Sequence, residues 1–437
     1  MPSFIDPEAL HGSNMRRSRT GGAPMLARAT QGQGRRRRLS LSTQGSLKQR
    51  LGLAGAVVRV AGAVTRDGIH PPLPHTATDV PAHIRHITPT WLTVALQATL
   101  PGTVVASVSA DGDSSGTSVR ARLHLHYRTP GVDQPATLFA KSTPTLVTRI
   151  ANGLTKTAPT EAGFYRHLRP QLTLEAPRGY YNAFDERSWR SIQIIEDLVA
   201  TKGATFCAPD RSVSREDAEQ IVRQLATLHG QGLPLPEVCA ERPRWLSTYP
   251  EWWQNALQVV GVKRSHLRGV AAAVDKGVLP TELRGRGPDL WSAFLRSVEA
   301  HRDLPATLIH GDVHLGNWYI TDEGVMGLCD WQCVSVGHWS RDLAYALSST
   351  LEIEQRRSWE QYLIRAYLDQ LHQNGFTRID FAHTWQLYRH QLLGALVMWT
   401  PTYRPPPLMP DMQPVAVTEE MLRRIGTAIV DLESLSA

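Results

Sequence analysis

The apolar residues of this 437-residue chain change their spacing near residue 200. Before that point they alternate with polar residues, as in "SVRARLHLHYR" at 118–128. Alternation with a period of two is typical of a strand with one buried face. From residue 214 onward, apolar residues recur every three or four positions, which predicts helices. A β-rich segment followed by a helical one predicts an α+β fold with two lobes, a small antiparallel N-lobe at 88–198 and a helical C-lobe at 199–437.

Turn residues and helix caps delimit the individual elements. Further strands are predicted at 103–110, around Lys141 and at 191–197, with a Gly/Ser turn at 111–118 and a helix at 160–168. In the second half, Ser214 and Asp217 form an N-terminal capping pattern for a helix at 214–230. Later helices are predicted at 288–304, 340–350, 354–375, 380–400 and within 414–435. Pro401 is expected to end the helix at 380–400, because proline cannot donate the next hydrogen bond.

The positive charge of the chain is confined to its beginning. Residues 1–50 contain ten Lys or Arg and two acidic residues, whereas the rest contains 37 basic and 38 acidic residues. Residues 1–80 are therefore predicted to form a basic, disordered tail. Since the remainder has no excess of positive charge, no nucleic-acid partner is expected. No apolar run reaches the roughly 18 residues of a membrane span, so no transmembrane segment is predicted.

The cysteines indicate a reducing compartment. The four of them, Cys207, Cys239, Cys329 and Cys333, show no metal-type pairing, and no signal peptide precedes them. Small buried thiols and a cytoplasmic location are therefore expected. The oligomeric state cannot be predicted from these features.

The segment "IHGDVHLGN" at 309–317, followed by Asp330, concentrates side chains that can move protons or hold metals. One interpretation is a metal-dependent phosphoesterase that uses His310, Asp312 and His314 as ligands. The further ligand blocks that such enzymes need are not found. A second interpretation is phosphoryl transfer. Asn317 and Asp330 enclose two short predicted strands, so a hairpin would place their two oxygen ligands side by side, as Mg²⁺ requires.

The N-lobe supplies matching side chains. Only six of the 47 basic residues are lysines, and Lys141 lies inside the apolar strand pattern "ATLFAKST". A lysine is a compact donor that can reach a phosphate in a tight space. Glu161 follows twenty residues later on a predicted helix and could pair with it. Ser115 and Gly116 lie in the Gly/Ser turn, whose backbone N–H groups could bind phosphates.

At these residues the chain resembles the protein-kinase-like superfamily, in its aminoglycoside phosphotransferase and choline kinase branch. The catalytic loop reads "HGDVHLGN" and the metal motif reads "DWQ". The segment "RDLAYAL" at 341–347 is most similar to the ecdysteroid-kinase-like (CHK kinase-like) group. The resemblance covers roughly residues 90–400 and implies a two-lobed protein-kinase-like fold.

The resemblance implies an ATP-dependent small-molecule kinase that uses Mg²⁺ and phosphorylates a hydroxyl group. Asp312 would be the catalytic base, Asn317 and Asp330 would hold the metal, and Lys141, oriented by Glu161, would contact the phosphates. The hinge near the adenine would be formed by Glu196, Asp197 and Leu198, and His310 and Asp342 would be internal supports. A catalytically weak ATP-binding protein remains an alternative. The residues do not identify the acceptor or distinguish ATP from GTP.

An aromatic cluster lies between the first C-lobe helix and the catalytic loop. The stretch "RWLSTYPEWWQ" at 244–254 contains Trp245, Tyr249, Trp252 and Trp253. Such a cluster could stack on an acceptor or hold a cation. It could equally pack the end of a helix, and the sequence leaves both interpretations open.

Overall fold

The computed structural model describes residues 47–114, 118–231, 242–258, 261–406 and 412–437. Residues 1–46 of the predicted tail, and Ser115 and Gly116 of the predicted phosphate-binding turn, lie outside the described residues. Within the described part, an antiparallel sheet precedes a larger body of helices, which confirms the predicted α+β class. No helix in these ranges is both long and apolar enough to cross a bilayer.

The N-lobe is built on five antiparallel strands in the spatial order β1-β2-β3-β5-β4. Their bounds are β1 (Val105–Ser114), β2 (Val119–Tyr127), β3 (Thr137–Ser142), β4 (Gly179–Phe184) and β5 (Ser191–Glu196). In β2, Ala121 and Leu123 are buried, whereas Arg120 and Arg122 are partly exposed, as the alternation predicts. One face of the sheet therefore packs on the N-lobe core, and the other carries the arginines.

Four short helices accompany the sheet of the N-lobe. The helices are α2 (Pro89–Leu96), α3 (Leu146–Leu154) and α4 (Thr157–Gly163), and α5 (Leu198–Lys202) follows β5. Helix α4 begins earlier than predicted, so Glu161 lies in its second turn. Trp245 of the C-lobe covers the end of α4, because a Cβ atom on Gly163 would lie 2.1 Å from the Trp245 ring. Thr160 also donates a hydrogen bond to the Trp245 carbonyl at 2.9 Å. The position of Glu161 therefore depends on a contact between the lobes.

Helix α1 (Leu47–Ile69) corrects the prediction of a disordered tail at residues 47–69. Its Val60 is buried, and its Asp67 is buried between two arginines. The Asp67 carboxylate accepts a hydrogen bond from Arg149 Nη2 at 2.7 Å and from Arg190 Nε at 3.0 Å. These partners come from α3 and from the turn before β5. The helix includes the apolar run at 51–64, and the ion pairs of Asp67 with distant arginines join it to the N-lobe.

The C-lobe consists of helices around one continuous apolar core. They are α6 (Arg215–Gly230), α7 (Tyr249–Ala256), α8 (Val262–Asp275), α9 (Gly287–Glu299), α10 (Ser340–Thr350), α11 (Ile353–Gln373), α12 (Phe381–Tyr403) and α13 (Val415–Asp431). The predicted cap of α6 is confirmed, since the Ser214 hydroxyl accepts from the Asp217 N–H at 3.0 Å. The prediction that Pro401 ends α12 is wrong. Pro401 lies in the last turn, where the missing N–H costs a single hydrogen bond.

Short strands connect the helices of the C-lobe. They are β6 (Thr205–Phe206), β7 (Thr307–Ile309), β8 (Trp318–Ile320), β9 (Met326–Leu328) and β10 (Ser335–Gly337). β6, β8 and β9 form one small sheet, and β7 pairs with β10. The loop between β7 and β8 and the residues after β9 hold the cluster singled out in the sequence.

The aromatic cluster at 244–254 belongs to the core. Tyr249, Trp252 and Trp253 are 2%, 8% and 3% exposed, so they cannot present a face to an acceptor. Trp253 contacts Phe294 of α9 edge to face, with ring centroids 4.6 Å apart. For these three residues the packing interpretation is correct and the acceptor-binding interpretation is wrong.

Replacing Asp67 with Ala is expected to destabilise the fold, because it leaves the buried guanidinium of Arg149 without its partner. Breaking a buried ion pair from one side costs roughly 3–5 kcal/mol. Urea unfolding followed by circular dichroism measures the loss. Asp133→Ala, at an exposed loop position, is the matched control and should change the free energy of unfolding by less than about 0.5 kcal/mol. Equal midpoints for the two variants would show that α1 does not stabilise the N-lobe.

The difference in stability between wild type and Asp67→Ala should also depend on pH. Burial alone would raise the pKa of Asp67, but hydrogen bonds and charges from Arg190 and Arg149 outweigh it and lower the pKa below 3.8. A carboxylate with a depressed pKa adds stability above its unfolded pKa of about 3.9 and loses it as the pH falls through the folded value. The difference in stability between wild type and Asp67→Ala should therefore shrink in acid. A difference that grows in acid would contradict the ion pair.

Candidate active site

Lys141 of β3 lies between two carboxylates. Its Nζ atom is 3.0 Å from Glu161 of α4 and 2.9 Å from Asp330 of the C-lobe. Burial would lower the pKa of Lys141, but the charges of Asp330 and Glu161 outweigh it and raise the pKa above its ordinary value. Lys141 is therefore an ammonium ion. The structure brings together the lysine and the glutamate whose spacing suggested a pair, and it adds Asp330 to them.

Asp330 follows β9 in a backbone conformation that is uncommon outside glycine. Its φ and ψ are 60° and 64°, in the left-handed region, which Asp and Asn adopt more readily than other side chains. Oδ1 accepts from Lys141, and Oδ2 lies 3.8 Å from Arg120 Nη2. Burial would raise the pKa of Asp330, but the charges of Lys141 and Arg120 outweigh it and lower the pKa. Asp330 is therefore ionised at the junction of the lobes.

The hairpin of β8 and β9 brings Asn317 and Asp330 to the same end, as their spacing predicts. Trp318 pairs with Leu328, and the Cys329 N–H donates to the Asn317 carbonyl at 2.9 Å. At the other end the chain reverses in a tight turn at 321–324. Local strand pairing, rather than a distant contact, therefore places these two oxygen-bearing side chains close to each other.

Two neutral donors orient the Asp312 carboxylate. Asn317 Nδ2 is 3.3 Å from Asp312 Oδ2 and 2.7 Å from the Asp312 carbonyl oxygen. The Tyr345 hydroxyl of α10 is 3.1 Å from Oδ1. Burial and the charge of Asp312 raise the pKa of Tyr345 well above its ordinary value, so the phenol keeps its proton and donates it. Sequence reasoning missed Tyr345, although it lies in the quoted segment "RDLAYAL" three residues after Asp342.

The loop that carries Asp312 is anchored by the buried carboxylate of Asp342. This carboxylate accepts hydrogen bonds from the backbone N–H groups of His310 at 2.6 Å and Gly311 at 2.9 Å. Gly311 has a φ of 82°, and a Cβ atom there would lie 2.6 Å from the Cys333 carbonyl oxygen. A glycine is therefore required for the turn that leads into Asp312. Asp342 therefore supports the loop from the buried side, which is the role that the resemblance implied for it.

The rings of His310 and His314 form hydrogen bonds with backbone groups of the protein. His310 Nε2 is 3.0 Å from the Cys329 carbonyl oxygen, so this nitrogen carries the proton, and Nδ1 accepts from the Asp312 N–H at 3.2 Å. Burial lowers the pKa of His310, which keeps the ring neutral. His314 Nδ1 accepts from the Gly316 N–H at 3.1 Å. Because both nitrogens of His310 are occupied, the ring cannot also ligate a metal, and the arrangement argues against the phosphoesterase interpretation.

A cleft of about 350 Å³ adjoins these side chains. From the predicted set, its walls include Lys141, Glu161, Glu196, Asp197, Leu198, Asn317 and Asp330. Apolar side chains cover the part next to the hinge, namely Phe139, Ile195 and Phe206. Asp312 is not part of these walls and adjoins the cleft through Asn317. The cleft therefore joins the hinge, the lysine and the hairpin end in one space.

The hinge carboxylate is already paired. Arg122 Nε donates to Asp197 Oδ2 at 2.6 Å, and its Nη2 lies 3.3 Å from Oδ1. Asp197 is 3% exposed, so its side chain ties β2 to the hinge. Glu196 accepts from the Thr201 hydroxyl at 2.8 Å. Alternation along β2 puts Arg120 and Arg122 on one face of the strand, but it does not indicate which face lines a cleft.

The donor set at the hairpin end suits Mg²⁺. No described residue donates a hydrogen bond to the side-chain oxygen of Asn317, whose nitrogen is bound to Asp312. Among the residues that the structure describes, the one polar contact of Asp330 Oδ2 is the distant Arg120 Nη2 at 3.8 Å. Amide and carboxylate oxygens are ligands that Mg²⁺ prefers, and in phosphotransfer sites phosphates and waters complete its shell. Among the described residues, no group of three or more His, Cys, Asp or Glu could hold a metal alone. An ion here would rely on Asn317, Asp330 and a bound nucleotide.

The fold and this set of side chains define a kinase-like phosphotransferase. A sequence model described as "Phosphotransferase enzyme family" (APH) matches residues 129–381, more than half of the chain. The chain belongs to this family, and the family predicted from the catalytic loop is confirmed. The ecdysteroid-kinase-like subgroup stays a prediction.

Several solved structures are similar to this chain. Choline kinase LicA from Streptococcus pneumoniae is 14% identical, and the match covers 75% of this chain and 94% of that chain at a TM-score of 0.42. The Plasmodium vivax ethanolamine kinase is 12% identical, with 77% and 87% covered and a TM-score of 0.42. Spectinomycin phosphotransferase APH(9)-Ia, solved with ADP and spectinomycin, is 12% identical, with 80% and 99% covered and a TM-score of 0.40. The family assignment rests on the match over residues 129–381.

Replacing Tyr345 with Phe is expected to lower kcat while leaving the affinity for Mg·ATP unchanged. The change removes the donor to Asp312 Oδ1 and keeps the ring that packs in the core. Losing a hydrogen bond to a charged group costs about 1.5–3 kcal/mol, which corresponds to roughly a tenfold to hundredfold loss of rate if the bond acts only on Asp312. Coupled ADP-release kinetics and calorimetry measure the two quantities.

The matched control is Tyr362→Phe, which removes a hydroxyl that donates to Glu219 on the exposed side of the C-lobe. This variant should keep wild-type kinetics. If Tyr345→Phe also keeps wild-type kcat, Tyr345 does not orient the carboxylate that matters for turnover.

Proposed function

We propose that this protein transfers the γ-phosphate of ATP to a hydroxyl group of a small molecule. The observation that carries the proposal is the meeting of four side chains, one from the N-lobe sheet and three from the catalytic loop and hairpin of the C-lobe. Lys141 contacts Asp330, Asp330 ends the same hairpin as Asn317, and Asn317 contacts Asp312. Phosphoryl transfer needs positioning and charge neutralisation more than covalent catalysis, and these groups supply both.

The nucleotide would bind with its base at the hinge and its phosphates at Lys141. Phe139, Ile195 and Leu198 offer an apolar surface for the base, and the hinge backbone at Glu196 to Leu198 offers polar groups beside it. Lys141 is charged and fixed in place by Glu161, so it can contact phosphate oxygens without first being ordered. This division of the cleft supports a nucleotide as the first substrate.

Asp312 would act on the acceptor. Its two oxygens are oriented by Tyr345 and Asn317, and each oxygen retains a lone pair that can accept a proton. In the transfer, the acceptor oxygen bonds to the γ-phosphorus, its proton passes to Asp312, and the bond between the γ-phosphorus and the bridging oxygen breaks to leave ADP. Mg²⁺, when bound by Asn317 and Asp330, supplies positive charge for the phosphate oxygens.

The remaining properties follow from this chemistry. Cys207, Cys329 and Cys333 are free thiols, and two of them are buried. Reduced cysteines and a need for ATP favour the cytoplasm as the site of action. The acceptor is a hydroxylated small molecule, and an ADP-release screen of sterols, sugars, amino-alcohols and aminoglycosides tests the proposal directly. Absence of acceptor-dependent ADP release, with intact Mg·ATP binding, would instead favour a binding-only protein.

Replacing Asp312 with Asn should abolish transfer while Mg·ATP affinity stays close to wild type. Asparagine has the same size as aspartate but cannot accept the proton of the acceptor hydroxyl. The nucleotide affinity should be kept because Asp312 is not part of the cleft walls. General-base catalysis contributes about 10²–10⁴-fold, so kcat should fall by at least about a hundredfold. Asp322→Asn, on the exposed turn between β8 and β9, is the control and should retain activity. Wild-type turnover by Asp312→Asn would show that Asp312 is not the base.

Replacing Asp330 with Asn should weaken Mg·ATP binding, unlike Asp312→Asn, which should leave it close to wild type. Asparagine tolerates the left-handed backbone of this position, so the change removes charge without distorting the loop. Charge-assisted contacts are worth about 1.5–3 kcal/mol, which predicts roughly a tenfold to hundredfold weaker Kd. Calorimetric titration with Mg·ATP measures it. An unchanged Kd would remove Asp330 from the metal site.

A further inference from the structure

Arg120 occupies a position in the cleft that the proposed mechanism does not use. In the antiparallel pairing of β2 and β3, Arg120 lies directly opposite Lys141. Opposed residues of an antiparallel pair point to the same face, with Cβ atoms about 4.5–5.5 Å apart. Both side chains line the cleft. The guanidinium of Arg120 and the ammonium of Lys141 therefore extend from neighbouring strands into the same cleft.

The three cations of the cleft differ in how firmly they are held. Lys141 is bound to Glu161 and Asp330, and Arg122 is bound to Asp197. The guanidinium of Arg120 forms no hydrogen bond with any residue that the structure describes, and its closest anion is Asp330 Oδ2 at 3.8 Å. Its side chain is 41% exposed. Arg120 is therefore the cation in the cleft whose donors are available to a ligand.

The available donors face the metal-ligand end of the cleft. Arg120 Nη2 and Lys141 Nζ approach different oxygens of the same Asp330 carboxylate. An ion held by Asn317 and Asp330 would supply positive charge to phosphate oxygens of the nucleotide next to this carboxylate. An anion that binds next to Asp330 would lie within reach of a planar fork that suits phosphate oxygens.

The geometry points to Arg120 as a second phosphate-binding cation, which contacts the β- and γ-phosphates of the nucleotide beside Lys141. This inference rests on the proposed function and adds a residue to it. Arg120 lies two positions after the segment 111–118, whose sequence "DGDSSGTS" lacks the full G-x-G-x-x-G pattern of a phosphate-binding loop. A side-chain guanidinium on β2 can supply the donors that such a loop would otherwise provide from its backbone.

A purely structural role for Arg120 predicts the opposite result. If Arg120 only neutralised Asp330, it would compete with Mg²⁺ for that carboxylate. Removing it would then leave the affinity for Mg·ATP unchanged or make it tighter. Whether Mg·ATP affinity falls or rises when Arg120 is removed therefore distinguishes phosphate binding from charge neutralisation.

The test compares Arg120→Gln with wild type by calorimetry and coupled kinetics. Arg120→Gln should bind Mg·ATP roughly tenfold to hundredfold more weakly, the effect of losing charge-assisted hydrogen bonds. Its affinity for adenosine, which lacks phosphates, should not change. Arg120→Lys keeps the charge but loses the fork, and should recover part of the affinity. Because Arg120 is exposed, Tm should stay at the wild-type value for both variants.

Arg128→Gln is the matched control, since Arg128 is an exposed residue just beyond β2 with the same charge. Eight residues of extended chain place it about 26 Å away. Wild-type or tighter Mg·ATP binding by Arg120→Gln overturns the inference, as does an equal loss in Arg128→Gln, which would indicate only the general field of the lobe. If wild type itself does not bind Mg·ATP, the proposed function fails together with the inference. Normal wild-type binding with an unaffected Arg120→Gln refutes the role of Arg120 alone.

Discussion

The buried carboxylate of Asp342 is the interaction on which the active-site loop depends. It accepts from two consecutive backbone N–H groups, and His229 of α6 lies 3.3 Å from it. Burial would raise the pKa of Asp342, but the hydrogen bond of His229 and nearby positive charge outweigh it and lower the pKa. An ionised carboxylate without such partners would be too costly to bury. Since those partners include the loop itself, the charge is stabilised only when the loop has the conformation that presents Asp312.

A second buried charge joins the two lobes. Lys141 comes from the sheet, Glu161 from a helix of the N-lobe and Asp330 from the C-lobe hairpin. Ion pairs of this kind contribute little net stability compared with apolar packing, but leaving one partner alone is costly. The lobes are thereby set in one relative position at the cleft. Stacking of Phe164 on Trp331, with centroids 4.1 Å apart, supports the same junction with apolar contact.

Partners that are distant in sequence decided two features that local sequence predicted wrongly or left open. The basic charge of residues 1–50 led to a disordered tail being predicted for residues 1–80, yet Asp67 pairs with Arg149 and Arg190 more than 80 positions later in the chain. The sequence left open whether Trp252 and Trp253 bind an acceptor or pack a helix end, and the structure places them in the core against α9. In each case the deciding partner is distant in sequence, and local composition carries no information about it.

The sequence by itself determined the features that depend on neighbours along the chain. Alternation defined β2, the capping pair of Ser214 and Asp217 started α6, and the spacing of Asn317 and Asp330 was enough for a hairpin with both at one end. Only the tertiary structure decided which face of β2 lines the cleft, that Tyr345 reaches Asp312, and that Asp67 anchors α1. The reason is that side-chain period and turn chemistry act over a few residues, whereas burial and charge pairing act between segments that meet only after folding.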